Sequence, residues 1–232
     1  MSGAAVAAGD RSMSNRLAIF DCDGTLVDSQ TNICMAIEDC FGRASLVPPG
    51  REVSRRVVGL SLVEAMQALH PEGTAEVHAI LAEDYKSAFQ RLRGNGLVEE
   101  PLFDGIADIV TALDEGGWLL GVATGKSDRG LKLCLDHHGL ARRFVTLQTA
   151  DRHPSKPHPA MIHAAMAEAG AAPETTVMIG DTTYDMAMAV AAGVTAIGVA
   201  WGYHERQELR DAGADWVAEH PAEIAAWLAA RA

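Results

Sequence analysis

Two aspartates separated by a single residue come directly after the first apolar run of the chain. Asp21 and Asp23 follow residues 17–20 (Leu-Ala-Ile-Phe), and Gly24 and Thr25 come next. Carboxylates at positions i and i+2 of an extended chain can project to the same side, and Gly24 allows the backbone to turn sharply after them. One carboxylate could therefore act as a nucleophile and the other as a proton carrier. The same pair could supply the oxygen ligands that a hard cation prefers.

Two further polar groups follow later apolar runs. The segment Thr124-Gly125-Lys126 comes after residues 118–123, and its hydroxyl and exposed backbone N–H groups could hold a phosphoryl oxygen. Lys156 has a proline on either side within residues 154–157. Because prolines stiffen a loop, we expect this lysine to be held as a fixed point charge.

A second pair of aspartates lies in the C-terminal half of the chain. Asp181 follows Gly180 at the end of an apolar run, and Asp185 falls one turn later, inside a predicted helix. If all four aspartates shared one edge of a sheet, their negative charges would repel and raise one another's pKa values. A divalent cation would relieve this repulsion. Such an edge suits phosphoryl transfer, in which positioning and charge neutralisation dominate.

The elements that must position these groups follow an alternating pattern. Short apolar runs alternate with amphipathic stretches, which is typical of a parallel sheet with crossover helices. The predicted strands are residues 17–20, 118–123, 144–149, 175–179 and 195–200, with a last one near 216–217. We therefore predict an α/β fold with a Rossmann-like three-layer core formed by residues 16–29 and 100–232.

Residues 30–99 interrupt this pattern because they contain no strand-like run. Apolar residues recur at helical spacing in 30–42, 62–70 and 74–93, whereas 45–59 is irregular. We predict a separate all-helical cap domain, inserted above the carboxyl ends of the strands, where ligands of open α/β sheets bind. The small and polar residues 1–15 predict a disordered leader.

The order and spacing of the polar groups resemble the four motifs of the haloacid dehalogenase superfamily of phosphatases. Residues 20–29 resemble the first motif, and Thr124 resembles the second. Lys156 resembles the third motif, and Asp181 with Asp185 resembles the fourth. The helical insert is similar to the cap of the phosphoglycolate phosphatase-like subgroup, which implies that its closure excludes water and selects the substrate.

This resemblance implies a role for each residue. Asp21 would attack phosphorus and become an aspartyl-phosphate, and Asp23 would protonate the leaving alcohol and then activate water. Mg²⁺ would be bound by Asp21, Asp181 and the backbone carbonyl of Asp23, while Asp185 would support the metal site or Lys156. The residues expected to contact the phosphoryl group are Cys22, Gly24, Thr25, Thr124, Gly125, Lys126 and Lys156.

Four positions refine the resemblance. The dehalogenase branch lacks the second aspartate of the first motif and uses no Mg²⁺, so Asp23 favours ester or anhydride chemistry. Gly125 stands where many relatives carry asparagine, which removes one side-chain contact to the substrate. In the insert, Arg56 and the turn around Gly59 are predicted to face the substrate, because the family places a specificity loop there.

Composition limits the classes of partner. The net charge of −12 disfavours a nucleic-acid partner, and no apolar run is long enough to predict a membrane span. The four cysteines show no paired spacing, so free thiols in a reducing compartment are expected. We therefore predict a cytoplasmic protein, a monomer or homodimer, whose partner is a small phosphorylated metabolite.

Several functions remain compatible with these residues. The first is hydrolysis of a small phosphate monoester, with 2-phosphoglycolate as a candidate by resemblance. A phosphomutase or a pyrophosphatase could use the same core, because contacts in the cap and access of water decide between them. A non-catalytic regulatory protein that binds a phosphorylated ligand is a further alternative, although the four aspartates and Lys156 that catalysis would need are all present.

Overall fold

The computed structural model describes residues 14–230, and within them parallel strands form one sheet. The strands are β1 (Asn15–Phe20), β2 (Leu119–Thr124), β3 (Phe144–Thr149), β4 (Ala171–Gly180), β5 (Thr195–Val199) and β6 (Trp216–Ala218). Their order across the sheet is β3-β2-β1-β4-β5-β6. This arrangement confirms the predicted α/β fold with a Rossmann-like core.

Helices cover both faces of the sheet, as expected for parallel strands. The helices are α1 (Gln30–Arg43), α2 (Arg51–Arg55), α3 (Leu62–Leu69), α4 (Ala75–Gly94), α5 (Ile106–Glu115), α6 (Asp128–His137), α7 (Ala160–Ala169), α8 (Thr183–Ala192), α9 (Arg206–Asp211) and α10 (Pro221–Ala229). Helices α5, α6 and α10 pack on one face, and α7, α8 and α9 pack on the other. Within residues 14–230, none of the helices has the length and apolarity needed to cross a membrane.

The central strand β1 contributes to both layers of the core. Leu17 and Ile19 pack with the helices on one face, and Ala18 and Phe20 pack with those on the other. All four residues are fully buried. Because side chains alternate along a strand, this apolar run fills both layers and fixes the position of the residue that follows it, Asp21.

The first strand begins earlier than the sequence predicts. Asn15 belongs to β1: its N–H donates to the carbonyl of Gly170 over 3.4 Å, and its side chain donates to the carbonyl of Ala169 over 2.7 Å. A polar residue therefore extends the strand, a feature that an apolar pattern does not reveal. The boundary predicted for the leader 1–15 is thus too late at Asn15, and residues 1–13 lie outside the described residues.

Helices α1, α3 and α4 share a hydrophobic cluster of their own. Ile37, Phe41, Met66 and Leu81 are among its buried members. The predicted helices are present, and the segment predicted as irregular contains the short helix α2. The division into a core and a cap domain, with boundaries at residues 30 and 99, stays a prediction.

The two segments that connect this helical insert to the sheet are paired with each other. Asp28 N–H donates to the carbonyl of Pro101 over 2.9 Å, and Phe103 N–H donates to the carbonyl of Leu26 over 3.1 Å. Val27 and Leu102 form an antiparallel bridge between the same segments. The insert therefore leaves and rejoins the sheet at a single place.

Candidate active site

The carboxyl ends of three adjacent strands carry the predicted residues. Asp21 follows β1, Thr124 ends β2, and Asp181 follows β4, and β1 lies between the other two strands. The register pairs Phe20 with Val122 on one side and with Ile179 on the other. Because parallel strands end at the same edge of a sheet, the side chains that follow them meet above it.

Asp21 lies at the centre of this edge and is fully buried. Its Oδ1 accepts a hydrogen bond from the backbone N–H of Cys22 over 2.6 Å and lies 2.9 Å from Nζ of Lys156. Its Oδ2 has no hydrogen-bond partner within residues 14–230. The pKa of Asp21 is raised from 3.8 to about 7, because burial and the negative charge of Asp185 outweigh the attraction of Lys156.

Three buried carboxylates form a cluster that fits a divalent cation. Oxygens of Asp21, Asp181 and Asp185 all lie within 4.8 Å of one another. Burial, together with the charges of Asp21 and Asp185, raises the pKa of Asp181 well above its usual range. Hard cations such as Mg²⁺ prefer oxygen ligands, and the unpartnered Oδ2 of Asp21 offers one. The donor set therefore fits a hard divalent cation.

Lys156 and Asp185 brace the cluster from the side. Nζ of Lys156 lies 2.7 Å from Oδ1 of Asp185, and both side chains are fully buried. Asp185 Oδ2 accepts from the hydroxyl of Thr182 over 2.7 Å and from its backbone N–H over 3.0 Å, and the two residues form a capping box at the start of α8. Asp185 therefore both positions Lys156 and caps the N-terminus of α8.

Glycine is required at two positions around Asp181. Gly24 has a φ of +86°, and a Cβ on it would lie 2.2 Å from Oδ2 of Asp181. A Cβ on Gly202, in the loop after β5, would lie 2.1 Å from Cβ of Asp181. Any side chain at either position would displace the carboxylate.

Several of the residues that were predicted to contact phosphate make contacts with other residues of the protein. The hydroxyl of Thr25 donates to Oδ1 of Asp181 over 2.8 Å, and Gly24 N–H donates to the carbonyl of Val27 over 2.9 Å. Sγ of Cys22 lies 4.0 Å from Sγ of Cys134 within the core. Thr124 is buried, and its hydroxyl accepts from the backbone N–H of Lys126 over 3.2 Å.

Two side chains contact the carboxylate of Asp23, and a third contacts it indirectly through Lys126. Its Oδ1 accepts a hydrogen bond from the hydroxyl of Ser29 and lies 2.8 Å from Nζ of Lys126. The same ammonium lies 2.6 Å from Oε1 of Glu100. Burial lowers the pKa of Lys126, but the charges of Asp23 and Glu100 help to raise it well above its usual value. The ammonium of Lys126, which was predicted to bind phosphate, therefore contacts Asp23.

Sequence reasoning missed several supporting residues. Ser29 and Glu100 lie in the two segments that connect the insert, and both are buried. Tyr203 N–H donates to Oδ2 of Asp181 over 3.0 Å, and the indole of Trp201 donates to the carbonyl of Thr25 over 3.1 Å. The sequence signal that could have indicated Trp201 and Tyr203 was their position in the segment Trp-Gly-Tyr-His, directly after the apolar run at 195–200.

The turn around Gly59 reaches the site, whereas the side chain of Arg56 does not. A Cβ on Gly59, whose φ is +96°, would lie 3.9 Å from Oδ2 of Asp21. A Cβ on Gly125 would lie only 2.5 Å from the carbonyl oxygen of Leu60. Nη1 of Arg56 instead lies 2.6 Å from Oε2 of Glu208 on α9. The insert is therefore closed against the core, with its backbone packed onto Gly125.

Comparisons with known proteins agree with this arrangement. The family model described as haloacid dehalogenase-like hydrolase matches residues 18–199. The chain is 37% identical to the probable phosphatase IndB of Dickeya dadantii, with 84% of this chain and 86% of that protein covered. It is 31% identical to the tyrosine-protein kinase PtkA of Mycobacterium tuberculosis H37Rv, covering 91% and 70%.

More distant proteins extend the same likeness. A phosphoglycolate phosphatase of Pseudomonas putida is 29% identical, with 84% of this chain and 72% of that protein covered. The crystal structure of a hydrolase from Pseudomonas syringae matches with a TM-score of 0.82 at 26% identity, covering 94% of this chain and all of that one. The chain therefore belongs to the haloacid dehalogenase-like hydrolases, in the phosphoglycolate phosphatase-like group, and it is a phosphatase.

Proposed function

We propose that this phosphatase depends on Mg²⁺ and hydrolyses a small phosphate monoester through a phosphorylated Asp21. The observation that carries the proposal is the unpartnered Oδ2 of Asp21 at the centre of a buried carboxylate cluster. A buried carboxylate oxygen without a partner is unfavourable. Because Oδ1 already contacts Lys156 and the Cys22 N–H, Oδ2 is the oxygen left to face a ligand.

The proposed reaction has two steps, with Asp21 as the nucleophile in the first. An oxygen of Asp21 forms a bond to phosphorus while the bond from phosphorus to the leaving oxygen breaks, and Asp23 donates a proton to that oxygen. In the second step Asp23 takes a proton from water as the water oxygen attacks phosphorus. Inorganic phosphate leaves, and the carboxylate of Asp21 is restored.

The remaining residues of the site bind the cation, supply positive charge or position the reacting groups. Asp21 and Asp181 would hold Mg²⁺ with Asp185 in support, and the ion would supply positive charge that neutralises the phosphoryl oxygens. Lys156 contributes a second fixed positive charge beside Asp21. Thr124 ends the neighbouring strand β2 at the same edge of the sheet.

One alternative is supported by a specific likeness. The relative PtkA is named as a kinase. This likeness supports a reaction in which the phosphoryl group passes from Asp21 to an acceptor other than water. The phosphomutase and pyrophosphatase alternatives stay predictions. We further propose that the partner is a small phosphorylated metabolite and not a nucleic acid, and that the protein acts in the cytoplasm as a monomer or homodimer.

The test is release of phosphate from a panel of phosphate esters, with Mg²⁺ and with a chelator. We expect turnover only with Mg²⁺, and none in the Asp21→Asn variant. Circular dichroism should show that this variant is folded. Mass spectrometry of the products separates hydrolysis from transfer, because a mutase or kinase would yield a new phosphorylated product and little free phosphate. Turnover without added metal, or in Asp21→Asn, would contradict the proposal.

A further inference from the structure

We infer that the substrate carries an uncharged apolar group, of the size of a phenyl ring, on the alcohol side of its phosphate ester. The inference rests on the proposed phosphatase function and adds the class of leaving group. It follows from the cavity that lies between the helical insert and the core, and from the positions of the charged side chains around it.

Asp23 identifies which part of a substrate this cavity would hold. The cavity has a volume of about 370 Å³, and Asp23 is one of its lining residues. If Asp23 donates a proton to the leaving oxygen, that oxygen must lie within hydrogen-bond reach of its carboxylate. The organic group attached to the oxygen then extends into the cavity rather than toward Asp21 and Asp181.

The walls that would contact this organic group are mainly apolar. Helices α1 and α3 contribute Ile33, Ile37 and Met66, and α4 contributes Tyr85 and Phe89. The rings of Tyr85 and Phe89 lie 5.9 Å apart between centroids, at 38° to each other. Together they present an aromatic surface beside Asp23. Apolar and aromatic walls with few polar groups are typical of sites that bury an organic ligand.

Two of the cations that line the cavity are paired with carboxylates. Nζ of Lys126 contacts both Asp23 and Glu100. Arg93 pairs with Glu100 over 3.1 Å and lies over the ring of Phe89.

Two further cations, Lys86 and Arg129, lie at the edge of the cavity. Lys86 pairs with Glu83 over 2.7 Å. Arg129 also lines the cavity, but its side chain is exposed to solvent. A substrate carboxylate such as that of 2-phosphoglycolate would be desolvated here without a free buried partner, which is unfavourable. An uncharged apolar group meets no such penalty and gains from its own burial.

The experiment compares phosphate esters of primary alcohols, whose leaving oxygens are similar. We would measure kcat/KM for ethyl phosphate, 2-phenylethyl phosphate, 2-phosphoglycolate and adenosine 5′-monophosphate, each with Mg²⁺. Burial of a phenyl ring should raise kcat/KM for 2-phenylethyl phosphate about tenfold or more over ethyl phosphate. The value for 2-phosphoglycolate should lie below that for ethyl phosphate.

Two variants and a matched control test the cavity itself. Phe89→Ala should lower kcat/KM for 2-phenylethyl phosphate about tenfold and change that for ethyl phosphate less than about twofold. Ile80→Ala alters an exposed residue of the same helix and should change neither value. Leu133 lines the cavity and is 40% exposed, so Leu133→Lys should remain folded and shift the preference toward 2-phosphoglycolate.

The outcomes separate this inference from the proposed function. If 2-phosphoglycolate or adenosine 5′-monophosphate is the best substrate, or if all four esters give equal values, the apolar leaving group is refuted and the phosphatase function stands. If Phe89→Ala affects ethyl phosphate as much as 2-phenylethyl phosphate, the cavity is not the site of the organic group. If none of the esters is hydrolysed with Mg²⁺, the proposed function fails as well.

Discussion

Nζ of Lys126 lies 2.8 Å from Oδ1 of Asp23, so the lysine contacts the proposed proton carrier. The resemblance implies that Lys126 contacts phosphate, whereas the structure places its ammonium between Asp23 and Glu100. These two roles predict different kinetics. A lysine that binds phosphate chiefly affects substrate affinity, whereas one that orients a proton carrier chiefly affects the chemical step.

Replacing Lys126 should therefore reduce kcat more than it raises KM. We expect Lys126→Met to lower kcat about 10- to 100-fold, because a misplaced acid–base group loses part of its contribution, with KM changed less than about threefold. Steady-state kinetics on 2-phenylethyl phosphate provide the measurement. Lys126→Arg should recover part of kcat. Lys132→Met removes an exposed lysine that pairs with Asp136 and serves as the control, and a large rise in KM alone would support phosphate binding.

Gly125 should be intolerant of asparagine, the residue that the family resemblance leads one to expect at this position. A Cβ at this position would lie 2.5 Å from the carbonyl oxygen of Leu60 and 2.9 Å from that of Gly59. We expect Gly125→Asn to push the turn away from Asp21 and to lower kcat/KM about tenfold, because small displacements of positioned groups are costly in catalysis.

Hydrogen exchange provides a second readout for Gly125→Asn, which should speed exchange in residues 57–61. Gly42 is the matched control, because a Cβ there meets no atom within 4 Å. Gly42→Ala should leave both kcat/KM and exchange in the turn unchanged. Wild-type kinetics in Gly125→Asn would show that the turn has room to accommodate a side chain.

The stability of the metal-free protein should fall as the pH rises from about 4 to about 7. The pKa of Asp21 is 3.8 in its ordinary state and about 7 in the fold. Between these values the folded state keeps a proton that the unfolded state has released, so raising the pH favours unfolding. The stabilising effect of this proton is complete below pH 3.8 and is lost as the pH rises through about 7.

Denaturant unfolding in a chelator at pH 4 to 8 provides the measurement. We expect Asp21→Asn to reduce the dependence on pH without abolishing it, because Asp181, whose pKa is also raised, still titrates. Added Mg²⁺ should stabilise the wild type at pH 7 more than it stabilises the variant. An identical pH slope in the two proteins would show that Asp21 is not the group responsible.

Arg56 should prove unimportant for substrate binding, although it was predicted to face the substrate. Its guanidinium pairs with Glu208, and the two side chains are 46% and 35% exposed. We expect Arg56→Ala to leave kcat/KM within about threefold and to lower the free energy of unfolding by no more than about 1 kcal/mol. Arg51→Ala, which removes an exposed pair with Glu38, is the control. A tenfold rise in KM for Arg56→Ala alone would instead place the guanidinium on the substrate.

The strand-end residues could be predicted from sequence because the physics is local and regular. Asp21, Thr124 and Asp181 each follow an apolar run, and parallel strands bring such positions to one edge. Glu100 and Ser29 could not be predicted in the same way, since their contacts with Lys126 and Asp23 depend on how the insert returns to the sheet. Long-range packing of this kind leaves no periodic signal.

The insert raises the same difficulty at its contact with the core. The sequence suggests that the missing side chain at Gly125 removes a contact with the substrate. In the fold, the backbone of Leu60 occupies the space that a side chain at Gly125 would need. Likewise, an arginine near a turn gives no indication that its partner is Glu208, which lies 152 positions along the chain. Such pairings are decided by the docking of two elements rather than by either sequence segment alone.

The paired connecting segments have a consequence for how substrate entry and proton transfer are related. Ser29 follows one end of the pairing and Glu100 precedes the other, and they hold Asp23 directly and through Lys126 respectively. If the insert rotates to admit a substrate, the bend must fall in the few residues beside this pairing, because moving the pairing itself would break its hydrogen bonds. Opening of the insert would then weaken the contacts of Ser29 and Lys126 with Asp23. Asp23 would return to the orientation needed for proton transfer only when the insert closes again.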